Sequence, residues 1–242
     1  MPPINLHLFS TPGRNDISDV VEACRPYLED KDEPVIAFMP LASLNGERWL
    51  EYTKEQFKGL ARVEIINTEL MRSKEIEDIL RDSAVTYISG GNTFLLNHRL
   101  HTNGIMPYLK KKIQAGLPVV GFSAGAILCG PNILTSTDMN MVKTPHFDGL
   151  NATPFNFFAH YPLDAYGQSV QDDWLSEYYI FHDNSVIMLC DGAYVKVDGK
   201  KTTLVRGEAY ILRKDQEKEK LEEGKLITLI GEGNDRRMDA RK

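Results

Sequence analysis

Ser123 stands at the centre of Gly121-Phe122-Ser123-Ala124-Gly125. A serine hydroxyl is a weak nucleophile at neutral pH and needs a base within hydrogen-bond reach, itself held by an acceptor. In a Gly-x-Ser-x-Gly pentad the chemistry depends on the flanks, because a serine between glycines also occurs as a plain turn. Here the apolar run Pro118-Val119-Val120 enters and the small-residue segment Ala126-Ile127-Leu128 leaves. That is the pattern of a strand turning sharply into a helix, which lifts the hydroxyl above the sheet edge and aims the next amides at whatever it attacks.

Histidine is the default base, since its charge changes near the working pH. Of six histidines, His7 falls inside a strand pattern and reads as a core or edge residue. His98 and His101 fall on or just after a helix, where exposure is the simpler account. His146 and His182 sit in polar loops, whereas His160 closes an aromatic strand segment that can join the rim of a sheet. The acid is Asp138 or Asp191; Asp148, Asp164, Asp172 and Asp173 read as loop or surface charges. No histidine follows His182, which argues against an α/β-hydrolase, whose histidine lies near the C-terminus. An oxyanion needs two backbone donors, and the amides of Ala124 and Gly91 are the candidates.

These residues must be positioned by the elements around them. Strands are expected at 4–9, 35–39, 63–66 and 85–88 and in the run entering Ser123, from short, near-continuous apolar stretches. Ser10-Thr11-Pro12-Gly13 is turn chemistry. Helical spacing of Ile17, Val20, Val21 and Cys24, capped by Asn15 or Asp16, follows the first strand. Trp49, Tyr52, Phe57 and Leu60 predict a second helix, and Ile76, Ile79 and Leu80 a short charged one. Residues 94–100 and 105–113 are also helical in pattern. Five strand-helix alternations imply a doubly wound, mostly parallel α/β sheet that binds ligands at the carboxyl ends of its strands. Gly90-Gly91 and the Ser123 pentad should then share one rim.

Beyond the pentad the rhythm changes. Residues 156–161 form an aromatic strand and 174–181 a short helix. From 186 the pattern is antiparallel, at 186–189, 194–197, 202–205 and 209–212 with a hairpin turn at Asp198-Gly199. We read this as an extension or edge layer of one domain over residues 1–232, with a last strand at 226–230 and a frayed tail over 233–242.

The formal charge of -6 and the single basic triplet, Lys110-Lys111-Lys112, give no phosphate-binding face, so no nucleic-acid partner is expected. Cys24, Cys129 and Cys190 are too few and too scattered for a disulfide framework or a metal knot; no metal or other cofactor is expected. There is no leader pattern and no apolar run long enough to span a membrane, so a cytoplasmic protein without a membrane partner is the expectation.

Ser89-Gly90-Gly91-Asn92-Thr93-Phe94, the Ser123 pentad followed by Ala126, Thr137-Asp138-Met139 and the His160 strand together resemble the peptidase E family of serine peptidases, the aspartyl dipeptidase and cyanophycinase clan. The resemblance runs from about residue 4 to residue 199. It implies a fold like class I glutamine amidotransferases with Ser123 as nucleophile, His160 as base and Asp138 as acid. Gly91, Ala124 and Asn92 fall at the oxyanion and substrate-binding positions. Asp191, in Cys190-Asp191-Gly192, falls where the family resembles it with Pro-Glu-Gly, and is the rival acid.

The family also resembles itself in an arginine shortly after the histidine, paired with an acidic substrate side chain. No Lys or Arg stands between Tyr161 and Ile180 here, while Asp164, Asp172, Asp173 and Glu177 do. Strict Asp-Xaa specificity is therefore not expected; those carboxylates hold a substrate amine or simply face solvent. The expected activity is hydrolysis of small peptides by a monomer or small homo-oligomer. The alternatives are an esterase or acyltransferase with the same triad, or a silent small-molecule-binding homologue.

Overall fold

The structure, a computed structural model, describes residues 3–11 and 16–227. Pro12-Gly13, the candidate cap Asn15, residues 228–230 of the expected last strand, and the tail lie outside the described residues.

The chain alternates β1 (Asn5–Phe9), α1 (Ser18–Cys24), β2 (Val35–Met39), α2 (Leu50–Gln56), β3 (Arg62–Ile65), α3 (Ser73–Asp82), β4 (Val85–Ile88), α4 (Thr93–Thr102), α5 (Ile105–Gln114), β5 (Val119–Phe122) and α6 (Ala124–Ile127). The second half adds β6 (Asn156–Ala159), α7 (Ala165–Phe181), β7 (Val186–Leu189), β8 (Tyr194–Asp198), β9 (Lys201–Arg206), β10 (Ala209–Leu212) and β11 (Glu219–Lys220). A seven-stranded sheet runs β3-β2-β4-β5-β1-β8-β9. Its first five strands are parallel, and β8 and β9 add antiparallel beyond β1. Strands buried on both faces explain the continuous apolar runs of β2 and β4.

Residues 186–212 do not form one extension. Strands β7 and β10 leave the large sheet and join β6 and β11 in a second, four-stranded sheet ordered β11-β10-β7-β6. Strand β7 is buried at every position, whereas β8 and β10 alternate, as strands with one wet face must. Nor does β6 join the parallel sheet; it pairs in parallel with β7, matching Ala159 to Leu189. The largest apolar cluster holds Leu6, Leu8 and Val119 of one sheet together with Phe157, Ile187 and Ile211 of the other. The expected short helix at 174–181 is the C-terminal half of the 17-residue α7, which starts where the Asp164 side chain accepts from the Gly167 amide at 2.8 Å.

Strand β1 runs between β5 and β8, and its His7 is buried. The imidazole bonds Tyr194 through Nδ1 and Tyr27 through Nε2, the latter at 2.8 Å. Burial, helped by Lys196, pushes its pKa from the ordinary 6.5 down to about 4. The unfolded chain thus binds a proton between those values that the folded chain refuses. Stability present above about pH 6.5 is lost as pH falls toward about 4. Urea midpoints across that window should decline in the native protein and decline less in His7→Gln.

Candidate active site

At the end of β5 the backbone turns through Ser123 with φ 50° and ψ -115° and enters α6 at Ala124. A non-glycine residue in that region costs on the order of 1–3 kcal/mol and persists only where its surroundings fix it. Three hydrogen bonds do so here. The Ser123 amide donates to the Phe9 carbonyl at 2.9 Å, and the Ser123 carbonyl accepts from Ala126 and Ile127 at 2.9 and 3.0 Å. The two pentad glycines let strand and helix close up: a Cβ on Gly121 would lie 2.9 Å from the Gly125 carbonyl carbon, and one on Gly125 would lie 2.3 Å from the Ile88 oxygen.

His160 and Asp191 follow the ends of β6 and β7, which are matched in parallel register, so both side chains emerge at the same edge of the second sheet. Ser123 Oγ and His160 Nε2 are 2.9 Å apart, and His160 Nδ1 is 2.7 Å from Asp191 Oδ1. An ionised carboxylate only accepts, which places the proton on Nδ1 and leaves Nε2 free to receive the serine proton. His160 itself takes φ 60°, a second non-glycine residue held in the left-handed region. The pair is open to solvent, with side-chain exposures of 48% for His160 and 61% for Asp191.

Asp138, the favoured acid in the sequence reading, is elsewhere. Its Oδ2 accepts from the Thr93 amide and hydroxyl, both at 2.7 Å, and from the Ser136 hydroxyl at 2.9 Å. The carboxylate thus sits at the N-terminus of α4, where orphan amides and the helix dipole favour negative charge. Among the described residues no hydrogen bond joins it to His160. It still lines the cleft of about 430 Å³ that contains Ser123, His160, Gly90, Gly91 and Thr11.

Gly90 and Gly91 follow β4, the neighbour of β5. A Cβ on Gly90 would meet the Phe122 ring at 2.5 Å and the Ser123 Cβ at 3.1 Å, so the two glycine-bearing strand ends share one rim. Gly91 has φ 135°, and a Cβ there would lie 2.5 Å from the Ala42 carbonyl oxygen. The Gly91 and Ala124 amides donate to nothing among the described residues, whereas the Asn92 amide is used by Ala42. The Asn92 side chain is occupied as well. Its Oδ1 caps α4 through the Leu95 amide at 2.9 Å, and its Nδ2 donates to the Met139 carbonyl at 3.0 Å. It fastens the Asp138 loop to the helix and does not point a free amide at the cleft.

Two of the acidic residues after His160 are likewise engaged within the protein. Asp164 caps α7, and Asp172 accepts from Tyr161 Oη at 2.6 Å and Lys218 Nζ at 2.7 Å. Of the remaining histidines, His101 stacks on His146 at 4.4 Å and His182 on Tyr178 at 4.5 Å; none meets Ser123. The sequence reading missed Ser10 and Thr11 as site residues. Ser10 Oγ lies 2.9 Å from both Asp191 Oδ1 and the His160 amide nitrogen. Their signal was a polar pair directly after the first expected strand, read there only as a turn; the pairing of that strand with β5 brings them to the site. No described helix is long and apolar enough to cross a membrane.

Residues 8–205 match the model of peptidase family S51. Peptidase E of Pasteurella multocida (strain Pm70) is 29% identical over 184 residues, which is 74% of this chain and 78% of that protein. A Drosophila melanogaster protein named probable alpha-aspartyl dipeptidase is 30% identical over 196 residues, covering 76% of this chain and 80% of its own. The crystal structure of a peptidase from an acI-B1 Actinobacterium superposes with a TM-score of 0.71 over 94% of this chain and 97% of that one, at 17% identity.

Proposed function

The chain belongs to peptidase family S51, and from that premise we propose that it hydrolyses short peptides, dipeptides above all, through an acyl-enzyme on Ser123. The observation that carries this reading is the continuous chain of hydrogen bonds from Ser123 Oγ through His160 to Asp191, at 2.9 and 2.7 Å. The 2.9 Å contact also weighs against a silent binding protein, which has no need of a base on its serine.

His160 Nε2 takes the Ser123 proton as Oγ attacks the scissile carbonyl carbon. The carbonyl oxygen becomes an oxyanion held by the amides of Ala124 and Gly91. Asp191 accepts from Nδ1–H throughout, fixing the tautomer and stabilising the imidazolium. Collapse of the intermediate breaks the C–N bond, and the imidazolium gives its proton to the departing amine. Water then enters, loses a proton to the same Nε2 and attacks the ester carbonyl; the second intermediate collapses with cleavage of the bond from the acyl carbon to Ser123 Oγ, the imidazolium returns its proton to that oxygen, and the carboxylate product leaves.

In the cleft, Asp138 places a carboxylate near Ser123. This supports recognition of an ammonium group on the substrate, and it disfavours an acidic side chain beside that carboxylate. The relative named for aspartyl dipeptides makes those substrates the natural first comparison. The test is a dipeptide library incubated with native protein and with Ser123→Ala. Cleavage by the native protein alone, across N-terminal residues other than aspartate, is expected. Equal cleavage by both proteins, or cleavage of esters with no peptide cleaved, overturns the proposal.

A further inference from the structure

The end of β1 touches every member of the proposed triad, although it belongs to a different sheet from two of them. Phe9 gives its carbonyl to the Ser123 amide. Ser10, fully buried, accepts from the His160 amide at 2.9 Å and stands 2.9 Å from Asp191 Oδ1. Its own amide donates to the Ala193 carbonyl at 3.1 Å, and the Thr11 hydroxyl accepts from the Gly192 amide at 3.1 Å. Ser123 is carried by the large sheet and the His160-Asp191 pair by the small one, so the distance from nucleophile to base depends on how the two sheet edges are fastened.

We propose that Ser10 is a positioning residue, one hydroxyl that sets both the base and the acid of the triad against the elbow; this rests on the triad reading above. The direction of the hydroxyl bond is fixed by chemistry. The His160 amide only donates, so Ser10 Oγ spends a lone pair on it, and its single proton goes to Asp191 Oδ1. That oxygen is also the one facing His160 Nδ1. The carboxylate is therefore gripped from two directions at a site whose side chain is otherwise 61% exposed. The grip matters more because His160 holds a positive φ, a conformation that needs external support. Without the Ser10 hydroxyl, the His160 amide loses its acceptor and the carboxylate is free to rotate toward water. Misplacement of a catalytic group by about 1 Å can cost roughly 100-fold in rate.

The experiment is a double-mutant cycle of Ser10→Ala and Asp191→Ala, measured as kcat and KM on whichever dipeptide the native protein cleaves fastest, with Ser123→Ala as the blank. Ser10→Ala should lower kcat by roughly 10- to 100-fold and leave KM within about threefold, since Ser10 does not touch substrate. In the Asp191→Ala background the same change should cost clearly less than in the native one, because one of the two groups it positions is gone and only the contact with the His160 amide is left to lose. A substrate-free readout accompanies it: the low-field proton resonance of the His160–Asp191 bond should be present in the native protein and lost or shifted in Ser10→Ala. Thr153→Ala, which removes another buried hydroxyl bond, controls for lost stability and should leave kcat unchanged. An unchanged kcat in Ser10→Ala, an equal loss in both backgrounds, or an unaltered resonance overturns the proposal. Native turnover no greater than that of the Ser123→Ala blank overturns the triad reading itself, which the resonance does not depend on.

Discussion

Ser123→Ala should lower kcat on a cleaved dipeptide by roughly a million-fold, the scale seen when the nucleophile is removed from a serine triad. What remains is the contribution of the amides of Gly91 and Ala124 and of substrate binding. The same substitution should hardly alter stability, because alanine at φ 50° and ψ -115° is as strained as serine. Glycine is not. Ser123→Gly should therefore lose activity to the same extent yet melt above Ser123→Ala, by about 2–4 °C for each kcal/mol of strain relieved. Such a pair separates the two properties of the elbow, its hydroxyl and its backbone. Equal melting temperatures would mean that the turn is not strained as described.

The second large effect distinguishes the two aspartates. Asp191→Ala should reduce kcat by roughly 100- to 10,000-fold. The upper figure is that of a triad acid whose loss leaves the wrong tautomer, and the lower one allows for water replacing a carboxylate as exposed as this one. Asp138→Ala should behave differently. It strips the Thr93 amide and hydroxyl of their acceptor, which should cost about 1–2 kcal/mol as a lost helix cap. Its kcat should stay within about tenfold of native, with any further loss in KM, as expected of a group that faces substrate without serving the base. If Asp138→Ala abolishes kcat while Asp191→Ala retains it, the assignment of the acid is reversed.

That assignment is where sequence and structure part most clearly. Ser123 was legible because a strained strand-to-helix turn demands small residues at fixed offsets, and Gly121 and Gly125 supply them. The five parallel strands were legible for a related reason, since burial on both faces leaves continuous apolar runs such as 35–39 and 85–88. His160 was singled out from His146 and His182 by its place after an aromatic strand segment, and the structure brings it to 2.9 Å from Ser123 Oγ. The partner of His160 did not follow, because Asp138, after the polar run Thr135-Ser136-Thr137, and Asp191, after the apolar strand 186–189, both offered a carboxylate and nothing local told them apart. What separates them is which one faces the base and which one caps a helix, and that depends on strand pairing between segments distant in the chain. The same difficulty divided residues 186–212 between two sheets: the strands at 186–189 and 194–197 were visible, but not which partner each would choose. Ser10 was hidden for a third reason. Its role is a cross-sheet contact that leaves no local periodicity.

The most direct test of the account is acid-quenched intact-mass and peptide-mapping mass spectrometry during turnover of an amino-acid p-nitrophenyl ester. Its good leaving group speeds acylation so that the intermediate accumulates. An acyl adduct on the peptide carrying Ser123 is expected in the native protein, with a matching burst of nitrophenol, and no adduct in Ser123→Ala. Turnover with no adduct, or an adduct on another residue while Ser123→Ala still cleaves dipeptides, would contradict it.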